Sequence, residues 1–164
     1  MNNECIFSPC RAYRYSLVHE IAPALPRRRA MWIGLNPSTA DESQLDPTLR
    51  RIRDFTTTWG YNGFVMTNLF AFRATDPKVM KAQPDPVGIE NDRVLIETAK
   101  SCDLIVAAWG AHGSHMDRAS AVLKLLQGLN VHCLGITQEG HPRHPLYLKR
   151  ATPLQLFQLS TPAN

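Results

Sequence analysis

Hydrophobic residues along this chain fall into two alternating patterns. Short, nearly uninterrupted apolar runs are typical of strands buried on both faces. Longer stretches with apolar residues three and four positions apart are typical of amphipathic helices. The runs predict strands at residues 30–35, 63–69, 103–109 and 131–136. The spaced stretches predict helices at 47–59, 88–100 and 117–127, and a long proline-punctuated loop covers about 70–86.

The first helix has the clearest boundaries. Asp46 supplies an N-cap side chain, and Pro47 suits the first helical position because an N–H there would have no intrahelical partner. Gly60 ends the helix. The predicted buried side chains of the three helices are Leu49, Ile52, Phe55 and Trp59, then Ile89, Val94, Leu95 and Ala99, then Ala121, Val122, Leu125 and Leu126.

Strands that alternate with helices of this length predict an α/β fold. Right-handed crossovers would make a parallel sheet with helices on both sides. We therefore expect residues 1–164 to form a single three-layer α/β/α domain around a mainly four-stranded parallel sheet. Residues 1–28 would be an N-terminal extension, for which a short antiparallel ribbon is one form to expect.

Composition and charge narrow the class of protein. The chain has 164 residues, of which 44% are hydrophobic and 20% charged, as in globular proteins. Its apolar runs are too short for a membrane helix, and residues 1–4 lack the features of a secretory signal. Four scattered cysteines favour free thiols and a cytoplasmic location. A net charge of +4, with Arg27–Arg29 clustered, permits an anionic partner such as nucleic acid.

Candidate chemistry concentrates where the predicted strands end. In parallel sheets ligands bind beyond the carboxyl ends of the strands, so residues that follow different strands are expected to share one site. The small, amide or ring side chains at the four strand ends are Asn36, Pro37 and Ser38, then Asn68, then Trp109, then His141 and His144. An asparagine amide orients a water or ligand, and imidazole serves as an acid, base or hydrogen-bond donor near neutrality.

Other kinds of site are less well supported. His141 and His144 could ligate a metal together with His112 or His115, but no carboxylate or cysteine accompanies them at a familiar ligand spacing. The cysteines lack the spacing of an iron–sulfur site. Ser38 lacks the glycine frame of a hydrolase nucleophile. We therefore expect no metal and no other cofactor.

Taken in order, the strand ends resemble the uracil-DNA glycosylase superfamily. Gly-Leu-Asn-Pro-Ser at 34–38 is similar to a Gly-Ile-Asn-Pro-Gly first motif, and Gly-Phe-Val-Met-Thr-Asn at 63–68 resembles the strand whose terminal asparagine reads the base edge. Val-Ala-Ala-Trp-Gly at 106–110 and His-Pro-Arg-His-Pro at 141–145 resemble the third-strand and His-Pro-Ser motifs. The resemblance implies the superfamily fold, with the four parallel strands in the order 2-1-3-4.

The whole chain resembles more closely a bacterial and phage family known as domain of unknown function sixteen forty-three. The similarity includes Ser-Pro-Cys-Arg-Ala-Tyr-Arg-Tyr at 8–15 and Gly-His-Pro-Arg-His-Pro-Leu-Tyr at 140–147. No activity follows from that family. Asn36 stands where the most active glycosylase branch has an acidic residue, and Arg143 stands where the His-Pro-Ser motif has its serine.

The glycosylase resemblance implies a protein that binds a nucleobase, in DNA or in a nucleotide, and hydrolyses its N-glycosidic bond. Asn36 would hold the water, His141 or His144 would stabilise the departing base, and Asn68 would read a pyrimidine edge. Substrate contacts would come from Pro37, Ser38, Trp109, a stacking ring at Phe70 or Phe72, and the cations Arg73 and Arg143. The alternative is a non-catalytic module that binds a modified base, a nucleotide or a protein partner in the same crevice.

Overall fold

The computed structural model describes residues 4–23, 26–39 and 43–158. Within these ranges, seven strands form one sheet in the order β1-β2-β4-β3-β5-β6-β7. The strands are β1 Glu4–Phe7, β2 Arg14–Glu20, β3 Arg29–Gly34, β4 Gly63–Asn68, β5 Leu104–Ala107, β6 Val131–Cys133 and β7 Gln155–Leu156. Parts of the predicted single domain at residues 1–3, 24–25, 40–42 and 159–164 lie outside the described ranges.

The sheet is mixed, and its centre is parallel. β3 pairs in parallel with β4 and β5, and β5 pairs in parallel with β6. β1 and β2 add an antiparallel ribbon beside β4, and β7 pairs antiparallel with β6 at the other edge. The predicted α/β class is confirmed. The sheet has more strands than the mainly four-stranded sheet that was predicted, because β1 and β2 of the N-terminal extension and the short strand β7 join it.

Four helices are present in the described part of the chain: α1 Pro47–Thr58, α2 Pro77–Lys81, α3 Asn91–Ser101 and α4 Arg118–Leu125. Two 3-10 segments lie at Ala111–Asp117 and Pro145–Tyr147. The predicted start of α1 is confirmed, since Asp46 accepts a hydrogen bond from the Leu49 N–H at 2.8 Å. Helix α2 lies where only loop was predicted. It begins with the same cap and proline, Asp76 and Pro77, but continues for five residues only.

Alternate residues of the central strands bury opposite faces of the sheet. Met31 and Ile33 of β3 belong to an apolar cluster that also holds Leu95 of α3 and Val122 of α4. Their neighbours on the strand, Ala30 and Trp32, belong to a second cluster. That cluster holds Leu49, Ile52 and Phe55 of α1. The sheet thus carries helices on both faces, and each face has its own core.

Several predicted positions need correction. Ile89 is 90% exposed, because α3 begins two residues later, at Asn91. Ala121 is exposed, while Val122 beside it is fully buried. Strand β6 ends at Cys133, short of the predicted 136, since Gly135 takes a positive φ of 127° and turns the chain away. Strand β5 likewise ends at Ala107, two residues before the predicted end.

Two further sequence expectations concern the environment of the protein. No helix in the described ranges is long and apolar enough to cross a membrane. All four cysteines fall within those ranges, and each is a free thiol: Cys5, Cys10, Cys102 and Cys133.

Candidate functional site

A cleft of about 490 Å³ opens where β3, β4 and β5 end. The parallel strands bring their carboxyl ends to one edge of the sheet, and the loops that follow form the walls. Six of the residues singled out in the sequence line this cleft: Asn36, Pro37, Ser38, Asn68, Trp109 and His144. His112, which the sequence suggested only as a possible metal ligand, also lines the cleft, and so do side chains that the sequence did not assign to the site, among them Arg14, Asp46, Met66 and Thr75.

The amide of Asn36 is held in one orientation. Its Nδ2 donates to the Ala74 carbonyl at 2.8 Å and to the Pro37 carbonyl at 3.2 Å. The Pro37 carbonyl also accepts from the Ala74 N–H at 2.9 Å, which joins the two walls. No described residue donates to Asn36 Oδ1. The amide therefore offers a ligand or a water an acceptor, because its donors are already used.

Asn68 ends β4 directly opposite Gly34 of β3. Its side chain is only 3% exposed, and its amide has no hydrogen-bond partner among the described residues. A Cβ on residue 34 would lie 2.8 Å from Asn68 Oδ1 and 2.6 Å from Met66 Cε, so glycine leaves the room that the amide occupies. Neither polar atom of the amide is fully buried, so Oδ1 and Nδ2 face the cleft and can pair with a ligand or water, which makes Asn68 the clearest recognition group of the cleft.

A buried polar network holds the end of β4 from behind. Asn91, the first residue of α3 and fully buried, donates from Nδ2 to the carbonyls of Asn68 and Leu69, both at 3.0 Å. Arg118, the first residue of α4, donates from Nε to the Leu69 carbonyl at 2.8 Å and pairs with Asp92 at 2.5 Å. The start of each helix thus fixes the backbone that carries Asn68. In the sequence, these residues look like ordinary polar positions at helix starts.

His144 lies at the cleft as a neutral imidazole. Its Nδ1 accepts the Leu146 N–H at 3.3 Å and so caps the following 3-10 segment. Since Nδ1 accepts, the ring proton sits on Nε2, which is left as a donor. Desolvation lowers the pKa of His144, and the charge of Asp46 opposes this shift in part. The loop is anchored by a hydrogen bond from Arg51 to the Leu148 carbonyl.

Asp46 contributes a carboxylate to the cleft. Its Oδ1 accepts the Leu49 N–H, and its Oδ2 lies 3.5 Å from the Ser38 hydroxyl, which donates to it. The sequence predicted only the capping role, because an aspartate before a helical proline is fully explained by that role. Arg14 is the other missed charge. It belongs to β2 and is 5% exposed, so the cleft wall contains a buried cation.

Trp109 supplies an apolar wall. Its ring is 2% exposed and meets Phe157 edge to face at a centroid distance of 5.7 Å. A Cβ on residue 113 would lie 2.3 Å from Trp109 Cδ1, so Gly113 allows the ring to lie against the backbone. The indole Nε1 is buried and unpaired within the described structure.

Five predicted site residues lie outside the cleft lining. Phe72 instead meets Tyr13 edge to face at a centroid distance of 5.6 Å. Phe70 is fully buried in the core, 5.5 Å from the His115 ring, and cannot stack on a ligand in the cleft. Arg73 is held by the Arg11 carbonyl at 3.1 Å. His141 and Arg143 belong to a turn, in which the His141 carbonyl accepts from Thr137 at 2.8 Å and the Arg143 N–H donates to Gly135 at 2.9 Å. That turn ends before the chain reaches the cleft at His144.

The arginine cluster at residues 27–29 is also far from the cleft along the strand. Arg29 begins β3, whereas the cleft lies where β3 ends, and its guanidinium pairs with Glu20. The cluster therefore lies at the opposite end of β3 from the cleft and does not border it. In the described part of the chain, no group of three or more His, Cys, Asp or Glu side chains is placed to hold a metal ion.

Comparison with known proteins gives one match. A family model described as "Protein of unknown function (DUF1643)" matches residues 14–146, which is more than half of the chain and includes all the cleft residues named above. No curated protein and no solved structure matches the chain.

Proposed function

This chain belongs to the family described as protein of unknown function DUF1643, a description that names no activity. We propose a function from the cleft: the protein binds a nucleobase and hydrolyses its N-glycosidic bond. One observation carries the proposal. An amide at Asn68 that makes no hydrogen bond within the described structure, a neutral imidazole at His144 and a carboxylate at Asp46 line the same cleft. These are a base-reading group, a donor for a leaving base and a counter-charge for a sugar cation.

The reaction breaks the bond between C1′ of the sugar and a nitrogen of the base. The bonding electron pair leaves with the base, and the sugar becomes oxocarbenium-like. In this proposal the His144 Nε2–H donates to the base as its negative charge develops. The carboxylate of Asp46 stabilises the positive sugar and accepts the proton of the water that adds to C1′. Asn36 Oδ1 accepts a hydrogen bond from that water and orients it.

The topology supports a uracil-DNA glycosylase-like architecture, which we propose as the finer description of the fold. The four parallel strands run β4-β3-β5-β6 across the sheet, which is the order 2-1-3-4 along the chain. The Asn-Pro turn follows the first of them, and Asn68 ends the second. On this proposal, the ribbon β1–β2 and strand β7 are additions at the two edges.

A second function, recognition without catalysis, is favoured by one observation. The residue that the sequence resemblance aligns with the water-activating position of the most active glycosylase branch is an amide, Asn36, which cannot take up a proton. A module that binds a modified base or a nucleotide would need Asn68, Trp109 and His144 but no base catalyst. Its cleft would hold the ligand unchanged.

The two functions separate in one assay. Duplexes and single strands that contain uracil, mismatched or modified bases are incubated with the protein, and abasic sites are detected by strand cleavage in alkali. A glycosylase forms abasic sites in at least one substrate, and Asn36→Ala or Asp46→Asn reduces the rate by about 10²-fold or more. A recognition module binds one of the oligonucleotides and leaves it intact. If the protein neither binds nor cleaves any of these oligonucleotides, both functions are contradicted for nucleic-acid substrates.

A further inference from the structure

The mouth of the cleft carries a lysine–histidine pair that base binding does not use. Lys81 ends α2, and its Nζ lies 2.7 Å from His112 Nδ1. His112 follows β5 and lines the cleft, as do Thr75 and Pro77 at the start of the α2 segment. Of the two residues, His112 lines the cleft, and Lys81 lies beside it at the rim through their hydrogen bond.

The chemistry of the pair leaves several donors available. An ammonium group only donates, so His112 Nδ1 is the acceptor, and the neutral ring carries its proton on Nε2. Desolvation and the charge of Lys81 both lower the pKa of His112, which keeps the ring neutral. No described carboxylate pairs with Lys81, so the positive charge of the pair is not cancelled by a salt bridge.

We propose that Lys81 and His112 form a phosphate subsite for the ligand whose base lies in the cleft. The two remaining ammonium hydrogens and the Nε2–H of His112 are three donors, and phosphate oxygens are acceptors only. The subsite rests on the proposed function, and it gives the ligand class: a nucleotide or a nucleic-acid strand, bound by a phosphate next to the recognised base. The pair takes the place of Arg143 as the cationic ligand contact, because Lys81 is hydrogen-bonded to the cleft-lining His112, whereas Arg143 belongs to the turn after β6.

The geometry also explains why this pair, and not the exposed lysine beside it, would bind the phosphate. Lys78 lies one turn earlier in α2 and is exposed, and its side chain makes no hydrogen bond or ion pair within the described structure. Lys81 is half-buried and fixed by its bond to His112. A lysine side chain that is already fixed loses less conformational entropy when an anion binds than an exposed, mobile lysine does.

The test compares matched ligands with and without phosphate at one fixed salt concentration. Calorimetry measures the dissociation constants of deoxyuridine, deoxyuridine 5′-monophosphate and deoxyribose 5-phosphate. Fluorescence anisotropy measures single strands with one uracil and with an abasic analogue in its place. The proteins are the native sequence, Lys81→Met, His112→Gln and the control Lys78→Met, each with its thermal unfolding recorded.

The native protein should bind a phosphate-bearing ligand about tenfold more tightly than its phosphate-free partner, as charge-assisted hydrogen bonds imply. Lys81→Met should remove most of that advantage and His112→Gln part of it, while Lys78→Met should keep it. Tighter binding of the monophosphate than of deoxyuridine points to free nucleotides. Strand binding that Lys81→Met weakens, with no such gain for the monophosphate, points to a phosphodiester.

Three results would overturn the subsite: equal affinity with and without phosphate, equal losses in Lys81→Met and Lys78→Met, or no binding of any probe. The base and the phosphate are tested separately. If deoxyribose 5-phosphate or the abasic strand binds as well as its base-containing partner, and Lys81→Met abolishes that binding, the phosphate subsite stands and the proposed base recognition fails.

Discussion

At the scale of single residues, the polar side chains of the cleft use part of their hydrogen-bonding capacity within the protein. Each keeps a defined donor or acceptor that a ligand can use. The Asn36 amide donates both hydrogens to carbonyls and keeps its oxygen as a free acceptor. The Nδ1 of His144 accepts a backbone N–H, so the ring keeps its Nε2–H as a free donor. Asn68 keeps both an acceptor and a donor. The cleft therefore presents a fixed pattern of polar groups on a largely apolar wall, as small-molecule sites generally do.

The proton on His144 provides a first prediction. Asp46→Asn should lower the pKa of His144 further below its ordinary value of 6.5, because the carboxylate is the influence that raises it. Asparagine also caps helices, so α1 should persist. Histidine ring signals followed by NMR against pH give both values. An unchanged or raised pKa in the variant would contradict the electrostatic contact.

The same histidine predicts how stability depends on pH. Its folded-state pKa lies below the unfolded value, so the unfolded chain binds the extra proton first. The contribution of the cap is complete above about pH 6.5 and is lost as the pH falls through the folded-state pKa. Chemical unfolding at a series of pH values should show this loss in the native protein and a smaller one in His144→Gln. Equal slopes in the two proteins would contradict it.

Gly34 gives a third prediction. Gly34→Ala places a methyl group 2.8 Å from Asn68 Oδ1 and 2.6 Å from Met66 Cε, so one or both side chains must move. Met66 has a flexible end and gives way easily, while Asn68 is held by its strand. We expect a stability loss of about 1–3 kcal/mol and a larger relative loss of ligand binding. Urea unfolding measures the loss of stability, and a binding titration measures the loss of affinity. Unchanged affinity in Gly34→Ala would show that the amide of Asn68 is not needed for binding.

At the scale of elements, the starts of α3 and α4 act as supports for the end of β4. Asn91 and Arg118 together donate three hydrogen bonds to two consecutive carbonyls, those of Asn68 and Leu69. Such carbonyls have left the ladder of the sheet and would otherwise be buried without donors. The support is what allows a strand end, rather than a loop, to carry the recognition amide.

Removing that support gives the fourth prediction. Asn91→Ala leaves the Asn68 carbonyl without its side-chain donor, while the Leu69 carbonyl keeps Arg118. The expected cost is about 2 kcal/mol in the free energy of unfolding, because a buried acceptor loses its hydrogen bond. Urea unfolding measures it, with the exposed Asn130→Ala as the matched control. Equal effects of the two substitutions would show that the buried network contributes little.

The elements also show what the sequence could predict. The central strands and α1 follow from apolar runs and from the Asp46–Pro47 start, which depend on local chemistry alone. Helix α2 was not predicted because its five residues are too few to show a periodic pattern of apolar positions. Strand β7 was not predicted because its two residues are exposed and show no apolar run. They form a strand only through their pairing with β6.

At the scale of the whole molecule, topology explains why some site residues could be predicted and others could not. Residues directly after a parallel strand reach the same edge of the sheet, so Asn36, Asn68 and Trp109 could be expected together. Arg14 enters the cleft from β2, an antiparallel strand whose position beside β4 no local pattern reveals. Phe70 follows a strand too, yet the chain turns it into the core.

The central claim, that one cleft binds a base through Asn68 and Asn36, is tested most directly by NMR. Side-chain amide signals are assigned by substitution, and deoxyuridine 5′-monophosphate or the uracil-containing strand is titrated into the protein. We predict saturable shifts of the Asn68 and Asn36 amides and of the His144 ring, with the amide of Asn130 unmoved. Saturable binding that leaves all three cleft signals in place, or no binding of either ligand, would contradict the account.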